Sequence, residues 1–455
     1  MSSPDSSTIV VRGSLLHFLD DPGPDDHEGT WQWYEDGCLW IENGRIHASG
    51  SWVSVRNHMP PAVLESAQRF DYTGKLILPG FVDTHMHYVQ ADVIASFGRQ
   101  LLDWLNDYTY PAEARFNDPV HARQTADFVL DRLLAHGTTT ASVFATSHPQ
   151  SVDAFFEAAD ARNLRMLCGK VMMDRECPEE LRDTAESAER DSVALIERWH
   201  KRNRLHYSLT PRFAITSTSE QLDVAGRLFK AYPDVHLQSH LAENAAECAR
   251  VHELFPDARR YLDVYEKHGL LGPRAIYGHC IHLNDAERAH MAETGTGQAF
   301  CPTSNLFLGS GAYDLAAATR AGVRVGLATD VGGGTSYNMI RTLAEAYKVQ
   351  QIHHNPLSAL RGWYLATLGG ARALHLENHI GNFEAGKDAD FVVLDWDATA
   401  EMSRRMDAAR TLPEFLFAMM MMGDERAVMA THILGKLHVP APIPLTRRKS
   451  DRVKY

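Results

Sequence analysis

Residues 79–87 read Pro79-Gly80-Phe81-Val82-Asp83-Thr84-His85-Met86-His87, an apolar run entered through a Pro-Gly turn and closed by His-x-His. Side chains of a strand alternate between faces, so His85 and His87 point the same way and can share one ion at about 2.0 to 2.1 Å per nitrogen. Such a pair alone is weak evidence. Its weight comes from the repetition of the same arrangement further along the chain.

Between residues 76 and 374, short apolar runs alternate with longer stretches of helical periodicity. Candidate strands end near His87, Ala145, Asp174, Phe213, His240, His279, Asn305 and Asp330, and stretches such as 219–232 and 285–293 suit helices. Eight strand-helix units in about 300 residues predict an α/β fold, a (β/α)8 TIM-type barrel with its reactive residues at the C-terminal ends of the strands. The two ends of the chain read differently. Residues 8–15 and 38–42 favour extended backbone, Asn43-Gly44 joins the latter to 45–48 as a hairpin turn, and 390–394 and 431–439 also read as strands. The expected organisation is a small β-sandwich domain from residues 1–75 plus 384–455, and a barrel hydrolase domain from 76–383.

Three further strand ends carry chemistry. Val235-His236-Leu237-Gln238-Ser239-His240 is followed by Leu241-Ala242-Glu243, Ala275-Ile276-Tyr277-Gly278 runs into His279, and the apolar run 323–329 ends in Asp330 before Gly332-Gly333-Gly334. Each has a structural reading alone: a satisfied histidine, an acidic helix start, an aspartate organising a turn. Together, four strand ends delivering His-x-His, His, His and Asp are most simply explained by one metal site. Glu243, three residues past His240, supplies the group needed to move protons.

Bulk properties set limits. With 45 basic and 58 acidic residues the net charge is −13, which disfavours nucleic acid as a partner. No window approaches a membrane span, and residues 1–7 lack a leader's charged and apolar regions, so no membrane association and a cytoplasmic location are expected. The six cysteines form no CxxC pair, arguing against disulfides or a thiolate zinc knuckle. The methionine run 419–422, on a predicted helix over 413–426, reads as core or a subunit-contact face, because thioethers pack irregular gaps well.

The series PGFVDTHMH, SHLAEN, GHC and ATD resembles the amidohydrolase superfamily, in particular its mononuclear zinc deaminase branch. Further stretches, LLDWLNDYTYPAEARF (101–116), GTTTASVFAT (137–146), GKVMMD (169–174), LTPRFAIT (209–216) and CPTSNLFLGSG (301–311), resemble the members that deaminate guanine. The likeness covers most of 75–350. It implies that His85, His87, His240 and Asp330 ligate one Zn2+ per chain, that His279 lies beside the bound water, and that Glu243 shuttles protons. It implies that Gln90, Arg212 and Phe213 contact guanine, that Leu102 and Trp104 line the pocket, and that the protein is a homodimer. A binuclear relative would offer a carbamylated lysine at the end of a middle strand. Lys170 lies inside its strand segment, so it reads as structural and one metal is expected.

The expected chemistry is attack of hydroxide on C2 of guanine, giving xanthine and ammonia in purine catabolism. Hydroxide is available at neutral pH because zinc draws the pKa of water down towards about 7. Glu243 would move the water proton to N3, and Asp330 with His279 would pass one to the departing amine. Arg212, a donor without acceptors, suits the O6 carbonyl and not an amine, the lesser alternative being an ion pair on the barrel rim. The alternatives are another purine or aminoazine hydrolase, acting on 8-oxoguanine, a pterin or a chlorotriazine, or a non-catalytic scaffold, against which every ligand position is filled.

Overall fold

A computed structural model of the chain describes residues 8–97 and 100–438. The reading of residues 1–7 and the expected strand end at Val439 fall outside them. Eight parallel strands run in chain order around one sheet: Phe81–His87, Thr138–Phe144, Arg165–Gly169, His206–Pro211, His236–Leu241, Ala275–His279, Gly297–Phe300 and Val325–Leu327. The first and last meet. Thr84 Oγ1 donates to the Leu327 carbonyl at 3.0 Å, the Asp330 amide to His85 O at 2.9 Å, and the His87 amide to Val331 O at 3.2 Å.

Every residue of Phe81–His87, Thr138–Phe144, Arg165–Gly169, His236–Leu241 and Ala275–His279 is buried, as parallel strands covered by helices must be. The helices between them are amphipathic. Ser219–Ala231 begins where the Thr218 side chain accepts from the Gln221 amide, and turns Leu222, Ala225 and Leu228 onto the barrel. Two expectations shift. The seventh strand ends at Phe300 rather than near Asn305, because Pro302 opens the helix Pro302–Phe307 and leaves Asn305 on it. The third strand stops at Gly169 and resumes as Val171–Met172, with Lys170 fully buried between them and ion-paired to Asp183.

Both ends of the chain contribute to a second sheet of seven strands, Thr8–Phe18, Trp31–Glu42, Arg45–Ser51, Gln68–Pro79, Phe391–Leu394, Val428–Ile433 and Lys436–His438. Ile9, Val11, Leu39, Ile41, Ile77, Phe391 and Val393 make its common core, while Val10, Cys38 and Trp40 on the other face cover Val55 and Met59. The hairpin turn has φ of 51° at Asn43 and 78° at Gly44. The stretch 431–439 is not one strand: Leu434 and Gly435, with φ of 50° and 78°, fold it into a second hairpin. The strand Gln68–Pro79 spans the expected boundary at 75/76.

The two sheets are joined at the N-terminal end of the barrel by buried charge. Arg165 donates to Asp388 at 2.6 Å, and Arg204 reaches Asp388 at 3.0 Å and Asp390 at 2.8 Å. In the helix Leu412–Met422, Met419 and Met420 are wholly buried in the core, while Met421 is half-buried and Met422 is exposed. All six cysteines are free. Among the described residues no helix is long and apolar enough to cross a membrane.

Candidate metal and active site

At the C-terminal mouth of the barrel the predicted residues converge. His85 and His87 come from the first strand, His240 from the fifth, His279 from the sixth, and Asp330 stands three residues beyond the last. Ala242, His279, Cys280 and Asp330 all have positive φ, between 48° and 70°. Residues of this kind avoid that region, so the chain is held strained where each strand turns out toward the site.

The donor atoms face one another. His87 Nε2 and His240 Nε2 lie 3.1 Å apart, and Asp330 Oδ1 lies 3.4 Å from His85 Nε2 and 3.6 Å from His87 Nε2. His240 Nδ1 donates to the Arg212 carbonyl at 2.7 Å, which leaves its Nε2 as a lone pair. His85 Nε2 is buried without a hydrogen-bond partner. Gly278 is part of this packing, since a Cβ there would stand 3.0 Å from His85 Cε1. Burial and mutual proximity hold the pKa values of His87 and His240 well below the ordinary histidine range. Burial also lowers that of His85, against the pull of Asp330. Burial would raise Asp330, but the imidazoles of His85, His279 and His240 around it bring it down to about 2. Neutral imidazoles with a free nitrogen beside an ionised carboxylate fit a divalent metal of the zinc type.

Glu243 stands next to this cluster. Ser310 Oγ donates to its Oε1 at 3.0 Å, and His279 Nε2 is 3.4 Å from its Oε2. Burial, with Glu247 and Asp330 nearby, pushes its pKa up to about 7 against the pull of His279. His279 Nδ1 donates to Asn305 Oδ1 at 2.8 Å, so Nε2 is the nitrogen turned to Glu243 and Asp330. Burial lowers the His279 pKa, yet those two carboxylates outweigh it and leave it raised. Asp83, inside the opening motif, accepts from the Thr329 amide at 3.0 Å, from the Thr329 hydroxyl, and from the His85 amide at 3.3 Å. It thus locks the strand end carrying His85 to the one carrying Asp330.

The pocket above is lined by Gln90, Leu101, Trp104, Leu105, Arg212, Phe213 and Leu308. Leu102 is not among them. On a helical turn Leu101, Trp104 and Leu105 share a face, while Leu102 is rotated away and only half-buried against the outer core. Arg212 does pair with a carboxylate, but inside the pocket and not on the rim: its Nη1 donates to Glu113 Oε2 at 2.7 Å, with the guanidinium carbon 5.2 Å from the centre of the Tyr110 ring. Glu113, Asn305, Ser310 and Asp83 are the partners that residue-by-residue reading of the sequence misses. Each lies within a quoted motif, which is the one signal that could have found them.

With histidines from the first, fifth and sixth strands and an aspartate after the eighth gathered at the mouth of a parallel barrel, the chain has the site of a hydrolase class, and it belongs to the amidohydrolase family, whose model matches residues 76–437. Within it, the chain is 47% identical to the guanine deaminase of Escherichia coli (strain K12), over 96% of this chain and 99% of that protein. The structure of E. coli guanine deaminase superposes with a TM-score of 0.92, covering 95% of this chain and all of the other. That of C. acetobutylicum guanine deaminase with bound guanine in the active site superposes at 0.85, with 27% identity and the same coverage.

Proposed function

We infer that this chain is a guanine deaminase, converting guanine and water to xanthine and ammonia. The observation that carries the reading is a single pocket lined by both the His/Asp cluster with Glu243 and the donor Arg212. His85, His87, His240 and Asp330 would hold a single zinc, which supplies a Lewis acid that makes hydroxide available near neutral pH.

The chain's own residues then do the following. Phe213 and Trp104 line the pocket with aromatic surface suited to a purine ring. Arg212 donates to O6, and its charge is balanced within the site by Glu113, so a neutral base enters without leaving an unpaired ion. Glu243 is a base that can also give its proton back, because its pKa near 7 lets both forms coexist at neutral pH. It takes the proton of the attacking water and hands it to N3 as C2 becomes tetrahedral. His279, fixed by Asn305, keeps Glu243 and Asp330 in place. Asp330 takes the second proton of the attacking water from the hydroxyl on C2 and passes it to the amine as the C2–N bond breaks, leaving the C2 carbonyl of xanthine.

The test is a panel of guanine, adenine, 8-oxoguanine, a pterin and a chlorotriazine with the purified protein, following ammonia and the hydrolysed ring. Guanine should be turned over fastest, with xanthine as product. Preference for another member of the panel would reassign the substrate and leave the hydrolase class intact. The same reading carries a homodimer and a cytoplasmic location, which light scattering and cell fractionation would check.

A further inference from the structure

Glu113 is wholly buried and holds two recognition residues at once. Gln90 Nε2 donates to its Oε1 at 2.9 Å, and Arg212 Nη1 donates to its Oε2 at 2.7 Å. A carboxylate only accepts. It therefore selects one of the two orientations of the Gln90 amide, because the flipped form would set the amide oxygen against a carboxylate oxygen. The chosen orientation leaves Gln90 Oε1 buried with no hydrogen-bond partner. Gly332 makes the room: a Cβ there would stand 1.9 Å from that oxygen, and φ at Gly332 is +118°. A buried acceptor without a donor costs free energy until something supplies one.

We propose that Glu113 is a positioning residue for substrate choice, setting Gln90 as an acceptor and Arg212 as a donor so that the pocket takes a purine with a 6-oxo, N1–H edge and refuses one with a 6-amino edge. The inference rests on the guanine reading above. Guanine presents an acceptor at O6 and a donor at N1, the complement of this pair. 2,6-Diaminopurine keeps the C2 amine, and with it the leaving group, but reverses both: its C6 amine meets the donor Arg212, and its bare N1 meets the Gln90 oxygen. Discrimination against it arises from mismatched polar groups in a buried site, where rejection is strongest.

The experiment compares guanine with 2,6-diaminopurine on the metal-loaded wild type, Glu113→Gln and Gln90→Met. Glu113→Gln keeps the shape but lets the Gln90 amide turn over and removes the counter-charge of Arg212. Expected are a loss of at least about 10-fold in kcat/KM for guanine, mostly in KM, and a shrinkage of the guanine-to-diaminopurine ratio by at least about 10-fold, with metal content unchanged. A variant with lower Tm but an unaltered ratio would make Glu113 a counter-ion of the fold and overturn the proposal. Should Glu113→Gln not fold, Gln90→Met retains the Arg212–Glu113 pair and decides the matter: an unchanged ratio there overturns the role given to the amide. Failure of the wild type to use guanine would strike the functional reading instead, and is seen in the same assay.

Discussion

The Nε2 atoms of His87 and His240 face each other at 3.1 Å, and the Nδ1 of His240 is already engaged by the Arg212 carbonyl. Two ring nitrogens at that distance in a buried site are held there at a cost unless a proton or a cation lies between or beside them. Asp330 closes the group on the side of His85 and His87, and the set suits one metal ion.

Elemental analysis should therefore find about one tightly held zinc per chain, the number that three imidazoles and one carboxylate complete. His240→Ala should lose both zinc and turnover, and chelation should abolish activity until metal is returned. Two tightly bound equivalents, or activity that survives chelation, would be incompatible with a mononuclear site.

Glu243→Gln should keep zinc and fold while losing on the order of 10² to 10⁴ in turnover, since the amide still accepts from Ser310 but cannot carry a proton. The measurement is kcat beside metal content and a melting curve. Near-normal turnover would mean that another group moves the proton.

Arg212→Met should lower kcat/KM for guanine by about one to two decades, the worth of a charge-assisted hydrogen bond of roughly 1.5 to 3 kcal/mol, with zinc unchanged. Leaving Glu113 buried without its partner adds a loss of stability, so the variant should also melt lower. Adenine should remain a very poor substrate because it has no amine at C2 to displace. A variant indistinguishable from the parent would remove Arg212 from recognition.

Stability should fall as pH drops below 6.5. Burial holds His17 and His432 down to about 4 and His236 to about 3. His432 is neutral by construction, accepting from the Tyr72 hydroxyl at 2.8 Å and donating to Gly435 O at 3.0 Å. The unfolded chain takes up these protons near pH 6.5 and the folded chain does not, so the stability is full above 6.5 and is lost progressively towards about 4. By pH 5.5 each histidine removes about 1.4 kcal/mol. Urea titrations at pH 7.5 and 5.5 should show this loss, and His432→Gln should reduce the difference between the two by about 1.4 kcal/mol, the share of one histidine. An unchanged difference would assign the acid sensitivity to other groups.

Much of the site could be read from the chain because its chemistry is placed by local rules. Period-two alternation puts His85 and His87 on one face, and the alternation of strands with helices implies a parallel barrel whose strand ends share one mouth. Where local rules compete, the reading slipped. Pro302 turned an expected strand end into a helix, and Leu434-Gly435 turned one strand into two. The phase of a short helix decided that Leu101, not Leu102, faces the pocket.

By itself, then, the sequence determined the strand-helix order and the placing of His85, His87, His240, His279 and Asp330 at strand ends of one barrel mouth with Glu243 close behind, because each follows from periodicity and from the residue at the end of an apolar run. Only the tertiary structure decided which side chains those residues lean on. Glu113 meets Arg212 across 99 positions of chain, Asn305 meets His279 across 26, and Ser310 meets Glu243 across 67. Hydrogen bonds of that kind have no period and no fixed spacing. They exist only once the barrel has closed and brought separate loops within 3 Å of each other, which is a property of packing that no local pattern encodes.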